Sequence, residues 1–285
     1  MRIGLGLPNS AISLKDGSAL LETARRAEAA GFSTLATIGR VAYPTFEELV
    51  ALSAAAAATS RVQLFTDILL AATREPVLLA KQAATLDQLS GGRFLLGIGV
   101  GMREDDFTVT GMGYRDRGDR LDAALELMHR AWAGEPVAGS PLPVTPTPTN
   151  GKNVPVMIGG YSDRALERVA RYGVGYTQGG GTPDALKDVM ERVKSVWQRA
   201  GREGKPEFRA LAYFALGDDA QQAAEHDLRS YYRAYGERVW QGAARDANAI
   251  RARVDAYQAL GTDELIFFMA APVVEQVERL AEIVF

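Results

Sequence analysis

The chain has 285 residues, 47% of them hydrophobic, with no cysteine, two histidines and a formal net charge of −3. The absence of cysteine excludes disulfides, thiolate metal sites and cysteine nucleophiles, and two histidines are too few for a multi-histidine metal centre. The small net charge indicates neither a nucleic-acid partner nor an anionic membrane surface, and no apolar run reaches the roughly 18 residues of a membrane span. A strand-like segment begins at the first residues without a signal-peptide pattern, so we expect a cytoplasmic protein that folds as one domain over residues 1–285.

Strand-like runs alternate with amphipathic helical stretches along the first half of the chain. Four strands are predicted there, at residues 3–7, 34–38, 62–70 and 94–100. Gly31 ends the helix after the first strand, and Pro76 lies in the first turn of the helix after the third. Between them, Thr45 and Glu48 have the spacing of a capping box and predict the beginning of an alanine-rich helix.

The same alternation continues in the second half. A long amphipathic helix begins near Arg117, and four further strands are predicted at residues 154–158, 174–177, 208–216 and 265–269. Thr182 and Pro183 predict the N-terminal cap of the helix after the sixth strand. Residues 134–153 are rich in proline, glycine and threonine. We interpret them as an irregular connection rather than a domain linker, because neither side alone would hold a complete sheet.

Eight strand–helix pairs determine the predicted fold. Near-continuous apolar strands joined through helices indicate a parallel sheet that is covered on its outer face. Eight such units close a barrel, so we predict an α/β protein with a single (β/α)₈ barrel, the TIM-barrel architecture. An open doubly wound sheet is the alternative. Because sites in such barrels form at the carboxyl ends of the strands, unusual residues at these ends are the candidates for chemistry.

Glycine-rich sequences follow three neighbouring strands. The fifth strand leads directly into a helix through four candidate cofactor contacts, Gly159, Gly160, Tyr161 and Ser162. Exposed N–H groups at a helix N-terminus suit a phosphate, whereas the alternative is that Ser162 only caps the helix. Gly179 and Gly180 repeat the arrangement after the sixth strand. Arg103 follows a glycine-rich run that does not complete a GxGxxG fingerprint, and it either meets an anion or ends a tightly packed strand.

Polar residues near the ends of the first three strands are further candidates. Asn9 either faces the barrel mouth or makes a turn. Thr66 and Asp67 interrupt an apolar strand, and a buried carboxylate costs free energy unless it is paired. Asp67 therefore has either a catalytic role or a structural partner such as Arg40 or Arg103. Arg40 itself follows the second strand, where it either reaches a substrate or is an ordinary surface residue.

Six segments in order along the chain carry a more specific pattern, at residues 4–9, 76–94, 97–101, 105–107, 117–122 and 155–160. The longest, residues 76–94, is similar to the hallmark stretch of the luciferase-like monooxygenase superfamily, and the other five are similar to further parts of it. This resemblance implies a barrel that binds FMN, or the deazaflavin coenzyme F-420, at the C-terminal mouth. It places the phosphate at residues 159–162, next to Gly179 and Gly180, and the ring near Thr66 and Asp67.

The resemblance also implies a choice of chemistry. FMN members are monooxygenases that use oxygen and reduced flavin, usually from a separate flavin reductase, to oxidise a small organic substrate. Members that use coenzyme F-420 transfer a hydride without oxygen. We expect the FMN chemistry, with the F-420 enzyme as the first alternative and a non-catalytic flavin-binding barrel as an alternative of another class. Members are often dimers, so a homodimer is expected.

One departure from the family pattern concerns the end of the second strand. Many members carry a histidine there, near the reactive position of the flavin, whereas this chain has Gly39 and Arg40. An arginine stays charged at any working pH and cannot act as a general base. Either Arg40 stabilises negative charge that develops during the reaction, or the chemistry uses no acid–base residue at this place.

Overall fold

Short apolar stretches form a closed, all-parallel sheet in the computed structural model, which describes residues 1–11, 14 and 17–285. In chain order the strands are β1 Arg2–Gly6, β2 Thr34–Thr37, β3 Gln63–Thr66, β4 Leu69–Leu70, β5 Phe94–Gly99, β6 Val156–Gly159, β7 Gly175–Gln178, β8 Glu207–Phe214 and β9 Glu264–Met269. Their order around the sheet is β3-β2-β1-β9-β8-β7-β6-β5-β4, and pairing of β3 with β5 closes it. Since β3 and β4 both pair with β5, they share one position and the barrel has eight. The predicted (β/α)₈ barrel is confirmed.

The predicted third strand, residues 62–70, is interrupted at Asp67 and Ile68, which are joined by a cis peptide bond. The Ile68 side chain occupies space that the neighbouring strand ends leave free. A Cβ atom at Gly99 would lie 2.3 Å from Ile68 Cδ1, and one at Gly159 would lie 2.9 Å from it. The two glycines at the ends of β5 and β6 therefore accommodate the irregular segment between β3 and β4.

Helices cover the outside of the barrel. In chain order they are α1 Ser18–Ala30, α2 Glu48–Ala58, α3 Pro76–Leu89, α4 Glu104–Thr110, α5 Arg117–Trp132, α6 Asp163–Tyr172, α7 Pro183–Arg199, α8 Asp218–Tyr232, α9 Gly236–Gln241, α10 Ala247–Ala259 and α11 Gln276–Val284. Short 3₁₀ turns lie at Ala71–Thr73 and Arg233–Tyr235. The short helix α4 is absent from the sequence-based prediction. Within the described ranges, no helix is both long and apolar enough to cross a bilayer.

The helix caps agree with the sequence prediction except at α2. Thr182 caps α7 as predicted, because its hydroxyl accepts a 3.3 Å hydrogen bond from the Ala185 N–H. At α2 the capping box predicted from Thr45 is wrong. Glu47 is the cap and accepts from the Val50 N–H at 2.7 Å. Thr45 lies further back in the loop, where its hydroxyl donates to the Arg40 carbonyl at 3.2 Å and is not available to the helix.

Gly6 and Phe268 show how closely β1 and β9 pack. The two residues are partners in the parallel register, and a Cβ atom at Gly6 would lie 2.2 Å from the Phe268 ring. That ring is buried, and its centroid is 6.1 Å from the ring of Tyr213 on β8. The lack of a side chain at Gly6 thus allows Phe268 to lie inside the barrel beside Tyr213, its partner in the β8–β9 register.

A buried ion pair lies at the opposite, amino-terminal end of the barrel. Arg209 Nη1 is 2.9 Å from Glu264 Oε2, and both side chains are almost fully buried. Arg209 also donates to Gln63 Oε1 at 2.6 Å, and Glu264 accepts from the Thr34 hydroxyl at 2.6 Å. Charges are tolerated in an interior when they are paired and hydrogen-bonded in this way. The polar layer therefore closes the end of the barrel that carries no candidate site.

Candidate active site at the carboxyl ends of the strands

Asp67 is a buried acid at the mouth of the barrel. It follows β3, only 1% of its surface is exposed, and its Oδ1 accepts a 2.8 Å hydrogen bond from the Thr177 hydroxyl on β7. Its Oδ2 has no hydrogen-bond partner among the described residues. Burial raises the pKa of Asp67 to about 7, although the Thr177 hydrogen bond and the charge of Arg209 act in the opposite direction. A carboxyl group with this pKa can both give and take a proton near neutral pH.

The sequence-based suggestion that Asp67 pairs with Arg40 or Arg103 is wrong, because both arginines have other partners. Arg40 is buried, with Nη2 at 2.6 Å from Asp105 Oδ1 and Nε at 3.1 Å from Asp106 Oδ2. Its Nη1 is buried without a hydrogen-bond partner among the described residues. Arg40 is therefore not a surface residue. It fastens the first turn of α4 to the end of β2, and a catalytic role through Nη1 stays a prediction.

Arg103 connects the end of β5 to the end of α8. Its Nη1 donates to the carbonyl of Tyr231, and its guanidinium carbon lies 5.3 Å from the centroid of the Tyr231 ring and 5.7 Å from that of Tyr232. Such cation–π contacts hold an arginine against aromatic faces. If Arg103 also contacts a cofactor anion, as predicted, it must do so in addition to, or in place of, these contacts with Tyr231 and Tyr232.

Two tyrosines at the end of α8 span the mouth. The Tyr232 hydroxyl is 2.8 Å from the hydroxyl of Tyr213 on β8, and the Tyr231 hydroxyl donates to the Gly39 carbonyl, at the end of β2, at 3.2 Å. Burial raises the pKa of Tyr232 to about 12 and that of Tyr213 further above its usual value. A cavity beside Tyr213 and Tyr231 measures only about 10 Å³. The end of α8 therefore covers part of the candidate site.

Asn9 and Thr66, both predicted as cofactor contacts, are fully buried and bonded to the backbone. Asn9 Nδ2 donates to the Ile38 carbonyl at 2.8 Å, and its Oδ1 accepts from the Ile38 N–H at 3.2 Å. The Thr66 hydroxyl donates to the Gly97 carbonyl at 2.8 Å and accepts from the Gly97 N–H at 2.9 Å. Asn9 therefore joins the end of β1 to the end of β2, and Thr66 joins β3 to β5, while cofactor contact by either stays a prediction.

The loop between β6 and α6 combines a glycine turn with a capped helix. Gly160 has a φ of +130°, a conformation that side chains disfavour, and a Cβ atom there would lie 3.0 Å from that of Ala165. The Ser162 hydroxyl caps the helix by accepting from the Ala165 N–H at 3.2 Å, and Tyr161 is half-exposed. The cap accounts for one N–H group, while the first N–H groups of a helix have no acceptor within it and can bind an anion.

The loop after β7 lies beside this one, because β6 and β7 are neighbours and Gly159 pairs with Thr177. A Cβ atom at Gly179 or Gly180 would meet nothing within 4 Å. These glycines therefore face open space, next to the N-terminus of α6. This arrangement fits a phosphate group, which needs room and backbone N–H donors but no metal. No cluster of three metal-ligating side chains exists among the residues that the structure describes.

Four site residues were missed by the sequence reasoning: Thr177, Tyr213, Tyr231 and Tyr232. Thr177 and Tyr213 lie in strands predicted from their apolar pattern, and only their position near a carboxyl end could have suggested a role. Tyr232 ends a helix, and no local pattern indicates that its hydroxyl meets that of Tyr213. The mouth thus brings together an acid, three phenols and two glycine loops.

Both the sequence and the fold of this chain are similar to those of known proteins. A family model described as luciferase-like monooxygenase matches residues 2–282. An uncharacterised protein of Mycobacterium tuberculosis is 29% identical over 229 residues, which cover 70% of this chain and 78% of that protein. A coenzyme F-420-dependent secondary alcohol dehydrogenase, solved with an F-420–acetone adduct, has a TM-score of 0.78 at 19% identity and covers 99% of this chain and 98% of its own. For a type II Baeyer–Villiger monooxygenase from Pseudomonas putida, solved with FMN, these values are 0.77, 16%, 99% and 96%.

Proposed function

The chain belongs to the luciferase-like monooxygenase family, and we propose that it is an FMN-dependent monooxygenase that uses reduced flavin and oxygen on a small organic substrate. The coarser conclusion, that it is a flavin-dependent oxidoreductase, rests on the family itself. One observation carries the proposal that the mouth of the barrel is the flavin site. Thr177 pairs with Gly159 of the first glycine loop and donates its hydroxyl to Asp67, so one residue of β7 links the proposed phosphate site to the buried acid across the mouth.

The backbone of the two glycine loops is the proposed holder of the phosphate. The N-terminal N–H groups of α6 and the open face of Gly179 and Gly180 supply donors and space, and Gly160 lets the chain turn toward the ligand. Nearby arginines are already paired: Arg192 Nη2 is 2.6 Å from Asp163 Oδ1, and Arg164 bonds to Asp122. Because these arginines are already paired, the loop suits a single phosphate held by backbone groups better than a longer ligand that carries several negative charges.

Asp67 and the tyrosines would act around the flavin ring. Bound reduced FMN supplies the electrons that reduce oxygen. Asp67 would hold or release a proton at Oδ2, while the bonds of Tyr231 to Gly39 and of Tyr232 to Tyr213 hold the end of α8 across the mouth. Arg103, and Arg40 through its unpartnered Nη1, would favour negative charge that develops during the reaction.

A hydride-transfer enzyme that uses coenzyme F-420 is the second candidate. The same loops would hold its phosphate, and the buried acid Asp67 can serve proton transfer without oxygen. The structural neighbour that binds F-420 shares the barrel at a TM-score of 0.78, much as the FMN-binding neighbour does at 0.77. The paired state of Arg164 and Arg192 is the observation that leads us to place FMN first.

The remaining expectations are proposals as well: a single domain over residues 1–285, a cytoplasmic location, a separate flavin reductase and a homodimer. The dimer has one supporting feature, since Val50 of α2 and Leu78 and Leu89 of α3 are more than half exposed. Size-exclusion chromatography with light scattering measures the oligomeric state directly.

Reconstitution with each cofactor tests the proposal. We expect calorimetry to show micromolar or tighter binding of FMN and weaker binding of coenzyme F-420 and of NADPH. Oxygen consumption by the protein loaded with reduced FMN, above that of free flavin, would support the monooxygenase. Tight binding of F-420 with none of FMN would favour the second candidate. Strong NADPH binding with neither flavin bound would contradict both.

A further inference from the structure

Two buried side chains contact the second glycine loop, residues 179–181. Gln178 is the last residue of β7, Tyr257 lies near the end of α10, and both are fully buried. The Tyr257 hydroxyl is 3.2 Å from Gln178 Oε1 and 3.3 Å from the Gly181 carbonyl oxygen. A hydroxyl has a single hydrogen atom, so Tyr257 shares it between these two acceptors. The helix α10 is therefore bonded both to the strand end and to the loop that follows it.

Gln178 extends this contact to the helix that follows the loop. Its Nε2 donates to the Thr182 carbonyl at 3.3 Å, and the same carbonyl accepts from the Leu186 N–H at 3.1 Å in the first turn of α7. The amide group of Gln178 thus connects the residue before the loop to the residue after it. We call Gln178 and Tyr257 together the brace, because they join β7, α7 and α10 around three consecutive glycines.

The three glycines differ in their relation to the brace. A Cβ atom at Gly181 would lie 2.5 Å from Gln178 Nε2, so the absence of a side chain there leaves room for the amide group. A Cβ atom at Gly179 or Gly180 would instead meet open space. Consecutive glycines have more backbone freedom than any other sequence of this length. The hydrogen bonds of the brace therefore restrict a loop whose own residues restrict it little.

We propose that Gln178 and Tyr257 are positioning residues that hold the second glycine loop in the conformation that binds the cofactor phosphate. Both are fully buried and act on the ligand through the backbone of the loop. A loop that adopts the binding conformation only part of the time binds more weakly, in proportion to the fraction of time spent in it. This inference rests on the proposed function. It assigns to the brace the affinity for the phosphate group and not the affinity for the flavin ring.

Calorimetric titration with oxidised FMN and with riboflavin tests the inference, because the two ligands differ only in the phosphate. We expect wild-type protein to bind FMN more tightly than riboflavin. Tyr257→Phe keeps the ring and removes the hydroxyl, so FMN affinity should fall about three- to tenfold, the effect of one lost hydrogen bond, while riboflavin affinity stays the same. If F-420 binds and FMN does not, the corresponding pair is F-420 and its deazaflavin core without the phosphate.

Two further variants complete the experiment. Tyr172→Phe is the matched control, since it removes a buried hydroxyl that has no hydrogen-bond partner among the described residues, in the last residue of α6, and it should change neither affinity. Gln178→Leu should lower FMN affinity as Tyr257→Phe does. Because the two side chains act as a unit, the double variant should lose little more than the larger single loss. Thermal unfolding without ligand establishes that each variant is folded.

FMN affinity within about twofold of the wild type in folded Tyr257→Phe and Gln178→Leu overturns the inference. Equal losses for FMN and riboflavin overturn it too, because the two side chains would then support the fold in general and not the phosphate. Wild-type protein that binds both ligands equally would also overturn it, while flavin binding itself would stand. Failure of the proposed function is a different result, in which the wild type binds neither FMN nor F-420 and the inference fails with it.

Discussion

The hydroxyl of Thr177 donates a 2.8 Å hydrogen bond to the carboxylate of Asp67, 110 positions earlier in the chain. β7 is not a sheet neighbour of β3, so this bond crosses the interior of the barrel mouth. It satisfies one oxygen of a buried carboxyl group and leaves the other available. The bond thus joins the end of β3 to β7, the strand that precedes Gly179 and Gly180.

The stability of the protein should fall as the pH rises from about 4 to about 7. Burial raises the pKa of both Asp67 and Glu48 to about 7, whereas the unfolded carboxyl groups titrate near 4. In this pH window the folded state holds protons that the unfolded state has released. The contribution of these protons to the free energy of unfolding is lost as the pH rises through the folded pKa. The stability of the Asp67→Asn variant should therefore fall by on the order of 3 kcal/mol less than that of the wild type over this pH range. Urea unfolding at about pH 5 and pH 8 measures the difference in the free energy of unfolding between the two pH values. The same difference in the wild type and in the variant would contradict the prediction.

Replacing Arg40 by alanine should destabilise the fold. The change leaves Asp106 buried without its cation, which typically costs about 3–5 kcal/mol. Chemical unfolding of Arg40→Ala, Asp106→Ala and the double variant measures the coupling. We expect the double variant to lose clearly less than the sum of the two single losses. Additive losses would mean that the pair does not act as a unit.

The predicted catalytic role of Arg40 has a separate readout. If Nη1 stabilises negative charge in the reaction, Arg40→Ala slows the chemical step by about 10²–10³-fold while flavin affinity changes little. Single-turnover kinetics at a temperature where the variant stays folded decides the question. A rate within about threefold of the wild type would exclude the catalytic role and restrict Arg40 to its ion pairs with Asp105 and Asp106.

Gly179→Val should weaken FMN binding without weakening the fold. A Cβ atom at this position would meet no protein atom within 4 Å, and Gly179 does not have a positive φ, so the unloaded protein should keep its unfolding temperature. A valine would instead occupy the space proposed for the phosphate, and we expect a loss of tenfold or more in calorimetry. Gly160→Val, at a φ of +130°, should lower both affinity and stability. Undiminished FMN affinity in Gly179→Val would remove this loop from the site.

Ser162→Ala and Asp246→Ala form a matched pair of cap removals. Each side chain caps a helix, Ser162 at 3.2 Å from the Ala165 nitrogen and Asp246 at 2.8 Å from that of Ala249, and each loss should cost about 1 kcal/mol. Only Ser162→Ala should also weaken FMN binding, by several-fold, because its hydroxyl lies beside the proposed phosphate. Equal affinities in the two variants would restrict Ser162 to capping.

The barrel could be predicted from the sequence because its determinants are local. Each strand–helix pair carries its own apolar pattern and its own end signals, such as Gly31 and Thr182. The interruption at Asp67 and Ile68 could not be predicted, since it depends on space left by Gly99 and Gly159 on other strands. The polar residues Thr66 and Asp67 are visible in the sequence, but they do not indicate that the strand divides there.

The candidate site could be predicted only in part, for the same reason. The glycine loops are visible in the sequence, but the partners of its charged residues depend on which strand ends meet. Arg40 was expected to face a substrate or Asp67, and it instead meets two carboxylates of α4, a helix absent from the prediction. Tyr232 reaches Tyr213 because α8 ends above the mouth, which depends on the packing of the whole helix.

The contact of Gly6 with Phe268 has a consequence for redesign of the protein. Phe268 lies beside Tyr213 in the barrel interior, and it can do so because its partner in the β1 register has no side chain. The volumes of the side chains at positions 6 and 268 are therefore coupled, and neither position belongs to the loops at the mouth. Shortening Phe268 would open space beside Tyr213, and a compensating Gly6→Ala would restore part of the lost packing. Substrate size could thus be tuned from within the strands, with the cofactor loops left intact.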